Sequence, residues 1–278
     1  MNKTKIEWVQ NPDGSQGYTW NPITGCLNGC PYCYARRLAN SRLKERYLAN
    51  PNTAIKYQPE ASIKEYEHQR TDPFYPRFWP ERLRELSNRK QQLMDGEPKP
   101  IGVFVCDMSD LFGIGVPEDW TRQVMDMIWD NDEYDRFYLL TKQPQNLIKW
   151  SPFPDNCWVG VTVCNDKMLD VAVDKLEDIQ AKVKYISFEP LLEHLTLSLD
   201  YAFYYSGISW IIIGAQTKPY KPPEIPWVHE IVEAGIPVFL KNNLRDLLVP
   251  DALMDDVFWE SDKAKLRQEM PKHSFENR

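Results

Sequence analysis

The chain has 278 residues, 42% of them hydrophobic, which is enough to build one large α/β domain around a buried core. Its formal net charge is −7 and its isoelectric point is near 5.3, which argues against a bulk duplex binder that depends on phosphate neutralisation. No run of eighteen apolar residues occurs, so the sequence predicts a soluble, cytoplasmic protein with no membrane partner.

Short apolar runs alternate with segments of helical periodicity, as in a parallel sheet built from βαβ units. Helices are predicted where apolar residues recur at helical spacing, at 35–49, 117–131 and 165–179. The seven predicted strands span residues 17–23, 101–106, 136–141, 157–163, 184–188, 210–214 and 236–241. This repeat favours a full or partial (β/α) TIM-type barrel over residues 1–250 rather than an open doubly wound sheet.

Residues 36–100 interrupt the repeat after the first strand, and we interpret them as a helical insert. Within it, residues 36–90 carry thirteen Lys or Arg against seven Asp or Glu, a local charge of +6. Such a surface suits an anionic or nucleic-acid substrate, and it is equally typical of a solvated helical face. Residues 251–278 are polar and lack a strand pattern, so they are predicted to form a C-terminal tail with a short helix.

Three cysteines lie in one loop after the first strand, within the segment TWNPITGCLNGCPYCYA. Cys26, Cys30 and Cys33 have the spacing C-x3-C-x2-C, which is too tight for separate structural disulfides and indicates a metal in a reducing compartment. Soft thiolate ligands suit zinc or an iron–sulfur cluster. Structural zinc takes four protein ligands, and no second Cys or His pair follows at the usual spacing, so the pattern favours a cluster with one open position.

This motif, with the aromatic Tyr32 just before the last cysteine, resembles the signature of the radical S-adenosylmethionine superfamily. The wider frame, in which IEW, TWNPITGC and CPYCYA are followed by DMSDLFG, LLTKQP and SFEPLL, is similar to a phage-associated protein family known by its three-cysteine motif. The resemblance implies that Cys26, Cys30 and Cys33 hold a [4Fe–4S] cluster whose free iron binds S-adenosylmethionine. It also implies an external electron donor of flavodoxin or ferredoxin type. Reductive cleavage of S-adenosylmethionine would give a 5′-deoxyadenosyl radical that abstracts hydrogen from a substrate the sequence does not identify.

The same resemblance implies roles for polar residues near the loop and at the strand ends. Tyr32 would shield the cluster near the adenine. Many superfamily members have a Gly-Gly-Glu run after the second strand; this chain has CDMSD at 106–110, so Asp107 or Ser109 would accept the methionyl amine. Candidates for ribose or carboxylate contacts, by position alone, are Thr162, Asn165, Ser187 and Glu189. Such residue types are also common helix N-caps, which is the alternative for each of them.

Four further residues at strand ends are candidates for the reaction itself. Cys106 and Cys164 would donate hydrogen to a substrate radical, although a free Cys beside an apolar strand is commonly a small buried hydrophobe. Lys142 and Lys241 would hold an anionic group of the substrate. The alternative for both lysines is a salt bridge to a carboxylate of the predicted site, either Asp107 or Glu189.

Two other functions remain open from the residues alone. One is a non-enzymatic module in which zinc or iron, bound by the three cysteines and a fourth ligand such as Cys106, only stabilises the loop. The other is a nucleic-acid-processing enzyme related to radical photoproduct lyases, in which side chains of the insert bind exposed bases. The side chains proposed for that contact are Phe74, Tyr75, Phe78, Trp79, Arg77, Arg82 and Arg84.

Overall fold

The computed structural model describes residues 1–57, 60–94, 99–131, 135–248, 256–261 and 265–271. The chain divides into two compact units, the first made of Met1–Asn146 and Pro154–Cys157, the second of Leu147–Phe153 and Trp158–Arg278. The protein is a mixed α/β structure whose eight main strands are mostly parallel and are interleaved with helices. The predicted α/β class is therefore confirmed. In the described ranges, no helix combines the length and the apolar character needed to cross a membrane.

The first unit contains the strands that lead to the cysteines. Its strands are β1 (Asn2–Lys3), β2 (Tyr18–Trp20), β3 (Ile23–Thr24), β4 (Arg77–Phe78), β5 (Gly102–Val105) and β6 (Arg136–Thr141). Strands β1, β2, β5 and β6 are neighbours in this order, with β1 antiparallel to β2 and the other pairs parallel. Every residue of β5 is buried, as its continuous apolar sequence predicts for a parallel strand covered on both faces.

The predicted strand 17–23 is wrong as a single strand, because β2 ends at Trp20 and β3 pairs with a different partner, the antiparallel β4. Pro22 lies at the break, and a proline has no N–H for the sheet ladder. The Pro22 carbonyl accepts from the Trp79 N–H at 2.8 Å. As a result, β3 leads the chain to the cysteines along the insert.

The insert is mostly helical, as predicted. The helices of the first unit are α1 (Tyr34–Ala39), α2 (Lys44–Leu48), α3 (Ile63–Thr71), α4 (Leu83–Met94) and α5 (Glu118–Trp129). Helix α5 confirms the helix predicted at 117–131. The single helix predicted at 35–49 is wrong: Asn40 Nδ2 and Ser41 Oγ donate to the carbonyl oxygens four residues earlier and end α1 before α2 begins.

The second unit repeats the βα pattern. Its strands are β7 (Cys157–Thr162), β8 (Val183–Phe188), β9 (Ile208–Ile213), β10 (Gln216–Thr217), β11 (Tyr220–Lys221) and β12 (Val238–Leu240). Its helices are α6 (Asp166–Glu177), α7 (Leu199–Ser206) and α8 (Ile225–Glu233). Strands β7, β8, β9 and β12 are neighbours in this order and all parallel, each joined to the next through a helix. This is the right order for successive βαβ units and confirms the predicted repeat.

The described part of the predicted tail pairs with β12. Gln268 forms an antiparallel bridge with Phe239, and Leu266 is buried. A short 3-10 turn spans Asp256–Phe258. This pairing was not predicted from the sequence. The boundary placed at residue 250 and much of the tail, residues 249–255, 262–264 and 272–278, lie outside the described residues.

Candidate functional site

Gly25 fixes the start of the cysteine loop (residues 25–33). Its φ is +85°, and a Cβ at this position would lie 2.4 Å from the Tyr75 carbonyl oxygen, so only glycine fits. The next residue is bound to the same segment, since the Cys26 N–H donates to the Phe74 carbonyl oxygen at 3.0 Å. The insert therefore supports one side of the loop.

The segment after β5 supports the other side. The Gly25 N–H donates to the Met108 carbonyl oxygen at 2.9 Å, and the Ser109 hydroxyl donates to the Gly25 carbonyl oxygen at 2.5 Å. The Ser109 hydroxyl, a candidate for the methionyl amine, thus already binds the cysteine loop. Its observed role is to hold that loop in place.

All three thiols of the loop are free and partly exposed. The Asn28 N–H lies 3.4 Å from Cys26 Sγ, and the Arg36 N–H lies 3.3 Å from Cys33 Sγ, where Cys33 caps α1. Both N–H groups donate to sulfur. Hydrogen bonds of this kind are among the contacts that tune sulfur ligands of iron–sulfur clusters.

The surroundings of the thiols raise their pKa values. Burial raises the pKa of Cys26 to about 12, with a further contribution from the Asp110 carboxylate. Burial also raises the pKa of Cys30, and the positive charge of Lys142 opposes this rise. Both thiols therefore carry protons at neutral pH in the metal-free chain, and a bound metal would release them. The structure brings Lys142, a predicted substrate-binding residue, close to Cys30.

The donor set fits an iron–sulfur cluster. Three soft ligands share one ordered loop, and Cys26 and Cys33 pack on an apolar cluster that limits access of water. That apolar cluster consists of Ala35, Ala39, Tyr47, Phe74, Trp79 and Met108. Within the described ranges, no group of three or more His, Cys, Asp or Glu side chains could hold a single metal ion. In a cubane cluster each cysteine binds a different iron, so the thiols need not converge on one point.

Asp110 connects the cysteine loop to the rest of the first unit. Its buried carboxylate accepts hydrogen bonds from Asn28 Nδ2 at 2.8 Å and from Thr141 Oγ1 at 2.7 Å. It also accepts from the N–H groups of Lys142 at 2.9 Å and Phe112 at 3.2 Å. Sequence reasoning missed this residue, although its place in CDMSD at a strand end was an available signal.

Asp107 lies beside the start of α1. Its carboxylate accepts from Asn21 Nδ2 at 2.5 Å, and the Tyr34 hydroxyl lies 3.2 Å from the carboxylate and 2.7 Å from the Asp107 carbonyl oxygen. Burial raises the pKa of Asp107, while these hydrogen bonds act in the opposite direction. Asn21 and Tyr34 were not predicted; only the fold brings them to this carboxylate.

Cys106 is buried, and its φ of +60° lies in the left-handed region that favours glycine. Burial raises the pKa of its thiol to about 12, and a hydrogen bond from the Ile23 backbone opposes this rise. The burial of Cys106 agrees with the alternative that its side chain is a small buried hydrophobe. Its role as a hydrogen donor stays a prediction.

Tyr32 is half-buried within the cysteine loop. Its carbonyl oxygen accepts from Arg37 Nη1 at 3.3 Å, which ties this part of the loop to α1. Its predicted role as a shield for the cluster stays a prediction.

The second unit has its own polar group at its strand ends. The Ser187 hydroxyl donates to Glu189 Oε2 at 3.0 Å, and Glu189 forms an ion pair with Lys241. Gly214 leaves room for this pair, because a Cβ there would lie 2.9 Å from Lys241 Cδ. The salt bridge given as the alternative for Lys241 is therefore present.

The remaining candidates of the second unit follow β7. Thr162 is buried and lies opposite Ser187 in the β7–β8 register, and Cys164 is buried too. Asn165 is the N-cap of α6, with its Oδ1 accepting from the Met168 N–H at 2.9 Å. This is the capping alternative stated for Asn165. Cofactor-binding roles for these residues stay predictions.

The aromatic residues of the insert belong to the core. Arg77 is buried as well, and its Nη1 donates to the Tyr75 carbonyl oxygen at 2.8 Å, while its Nη2 donates to that of Gln69 at 2.7 Å. The buried aromatics are Phe74, Tyr75, Phe78 and Trp79. The hypothesis that these side chains stack on exposed bases is wrong, because their ring faces are covered by protein.

The protein is thus a mixed α/β protein whose cysteine loop carries three thiols suited to an iron–sulfur cluster. The chain belongs to the family described as protein of unknown function (DUF5131), whose model matches residues 3–243. No curated protein matches the chain. The resemblance to the phage-associated family is not confirmed by these matches.

Two solved structures similar to the chain are of spore photoproduct lyase. One is complexed with dinucleoside spore photoproduct, with a TM-score of 0.47 and 14% identity, covering 82% of this chain and 62% of that chain. The other is a mutant with bound AdoMet and dinucleoside spore photoproduct, with a TM-score of 0.46 and 14% identity, covering 84% of this chain and 65% of that chain. The chain thus spans less than two thirds of either protein. Both TM-scores lie below 0.5.

Proposed function

We propose that the protein is an iron–sulfur enzyme of the radical S-adenosylmethionine type, with a [4Fe–4S] cluster on Cys26, Cys30 and Cys33. When bound, the cluster and S-adenosylmethionine supply a 5′-deoxyadenosyl radical that abstracts hydrogen from the substrate. One observation carries the proposal: three free, half-buried thiols at C-x3-C-x2-C spacing share a single ordered loop.

The residues around the loop prepare it for its ligands. The Gly25 and Cys26 N–H groups and the Asn28 side chain are hydrogen-bonded to Met108, Phe74 and Asp110, so little conformational freedom remains to be lost when a cluster binds. The positive charge of Lys142 favours the thiolate of Cys30, which is the form that binds iron. None of the six cysteines, all of which lie in the described ranges, forms a disulfide, which suits a reducing compartment such as the cytoplasm.

We assign the methionyl amine to Asp107 rather than to Ser109. The Ser109 hydroxyl donates its proton to the Gly25 carbonyl and is a neutral acceptor, whereas the Asp107 carboxylate has acceptor positions beyond the bonds from Asn21, Tyr34 and Thr19. A carboxylate also attracts an ammonium group more strongly than a hydroxyl does. In this proposal the electron comes from an external donor of flavodoxin or ferredoxin type.

The test compares two Cys→Ala variants after anaerobic reconstitution with iron and sulfide. We expect the wild-type chain to bind both in the ratio of a [4Fe–4S] cluster and to form 5′-deoxyadenosine from S-adenosylmethionine under dithionite. Cys30→Ala should lose the cluster and the deoxyadenosine. Cys157→Ala, which alters a buried thiol at the start of β7, should keep both.

Urea unfolding of each variant should show that the fold persists, because the core lies in the strands rather than in the loop. Undiminished deoxyadenosine from Cys30→Ala would contradict the assignment. Stoichiometric zinc with no cluster would support the alternative, a non-enzymatic metal-stabilised module.

A further inference from the structure

Two arginine side chains of the insert lie over the ring of Trp79. The Cζ atom of Arg82 is 4.1 Å from the ring centroid, and that of Arg46 is 5.7 Å from it. The cation–π contact orients each guanidinium group on the indole. The two charges are close enough to interact. Burial has the larger effect in lowering the pKa of Arg82, and the positive charge of Arg46 lowers it further.

A third arginine, Arg42, acts with Arg46 and Arg82 on the Tyr47 hydroxyl. Tyr47 is buried, and burial raises the pKa of its hydroxyl to about 12. The positive charges of Arg82, Arg46 and Arg42 all oppose that rise. Arg42 lies four residues before Arg46, in the turn that leads into α2, where the Lys44 N–H donates to the Ser41 carbonyl oxygen at 3.2 Å. Arg42, Arg46 and Arg82 are hereafter the arginine group. Arg42 and Arg46 are exposed, so their N–H donors face solvent.

Acidic residues compensate this charge only in part. The carboxylate of Glu81 acts on Arg82, and the carboxylate of Asp107 acts on the Tyr47 hydroxyl together with the three guanidinium groups. Among the ion pairs of the described residues, none includes a member of the arginine group. Like charges held together without ion-pair partners are typical of a site for an anion.

The arginine group adjoins the cysteine loop. Tyr47 and Trp79 belong to the apolar cluster against which Cys26 and Cys33 pack. A hydrogen bond also holds the Arg82 side chain in position, because its Nη1 donates to the Asn21 carbonyl oxygen at 2.6 Å. An anion bound by the arginine group would lie beside the same apolar cluster as Cys26 and Cys33.

We propose that Arg42, Arg46 and Arg82 bind a phosphate group of the substrate, which is therefore a nucleotide or a single-stranded nucleic acid. Each planar guanidinium group can donate two parallel hydrogen bonds to phosphate oxygens. Three guanidinium groups together suit a multiply charged phosphate better than they suit a singly charged carboxylate. The inference rests on the proposed function only for naming the ligand as the substrate.

The test measures phosphate binding on the full, metal-free chain at low salt. The probe is a fluorescein-labelled single-stranded oligothymidylate, followed by anisotropy, with inorganic phosphate and a nucleoside 5′-monophosphate as competitors. The double variant Arg42→Gln/Arg46→Gln should weaken binding roughly tenfold per arginine, and the slope of log affinity against log salt should fall by about 0.7 per arginine.

The matched control is Lys64→Gln/Arg70→Gln, which removes the same charge from exposed positions on α3. We expect it to bind within twofold of the wild type. Competition by the mononucleotide would show that one phosphate suffices, and resistance to it would show that several phosphates of a strand are bound; both results support the inference. No binding by the wild-type chain, or an equal loss in the control, would overturn it.

A separate measurement distinguishes the two proposals. The reconstituted wild-type chain is incubated with S-adenosylmethionine and dithionite without any nucleotide. Absence of 5′-deoxyadenosine would defeat the proposed function and leave the phosphate-binding result standing. Deoxyadenosine without phosphate binding would defeat the inference alone.

Discussion

Replacing Asp110 with alanine would remove four hydrogen bonds at once from the support of the cysteine loop. The donors are Asn28 Nδ2, Thr141 Oγ1 and the N–H groups of Lys142 and Phe112. The Asp110 carboxylate joins the cysteine loop to the end of β6. We therefore expect the substitution to destabilise the unit and to loosen the loop.

The magnitude follows from which donors can reach water. Thr141 and Phe112 are buried, whereas Asn28 and Lys142 are partly exposed. A buried donor left without a partner costs about 1–3 kcal/mol, and the partly exposed donors regain most of their loss by hydration. The free energy of unfolding should fall by about 3–5 kcal/mol, a large share of the roughly 5–15 kcal/mol typical of a whole domain.

Urea unfolding of the metal-free variant measures this loss. Asp126→Ala is the control, because it makes the same substitution at an exposed position of α5 and should change stability by no more than about 0.5 kcal/mol. Iron incorporation on reconstitution should also fall in Asp110→Ala. A loss below about 1 kcal/mol, or one equal to that of the control, would refute the reasoning.

Two further substitutions test other contacts of the structure. Gly25→Ala should lower the free energy of unfolding by at least about 2 kcal/mol, because the new Cβ meets the Tyr75 carbonyl oxygen. Gly29→Ala is the control: Gly29 has a φ of +70° and open space around it, so its substitution should cost only about 1 kcal/mol. Equal losses of stability in urea would contradict the close approach of Gly25 to Tyr75. Lys241→Ala should lose about 1–3 kcal/mol, because it removes the ammonium partner of the Glu189 carboxylate. Adding Glu189→Gln should recover part of this loss in a double-mutant cycle, whereas simple additivity would speak against the ion pair.

The strands were predictable because parallel strands buried on both faces are continuous apolar runs. The run predicted at 136–141 has the same first and last residues as β6. The runs predicted at 157–163 and 184–188 match β7 and β8 to within one residue at each end. Irregular points were missed. The helix predicted at 35–49 is broken by polar side chains that compete for its carbonyl groups, a local effect that hydrophobic periodicity does not reveal.

The candidate site was predictable only in part. The spacing of Cys26, Cys30 and Cys33 is a local property, so it could be recognised directly. The alternative that the aromatic side chains near Trp79 stack on bases is wrong, because these side chains are buried, and a run of aromatics and prolines has the same composition whether it is exposed or buried. Their burial depends on packing between segments far apart in the chain.

The sequence by itself determined the βα repeat and the three-thiol loop, because both are written in short-range patterns of residue type. Only the tertiary structure decided what holds that loop. The Asn28–Asp110 and Ser109–Gly25 hydrogen bonds join residues more than eighty positions apart, and so does the Asn21–Asp107 bond. Such pairs form where the fold brings strand ends together, and no periodicity along the chain encodes which donor will meet which acceptor.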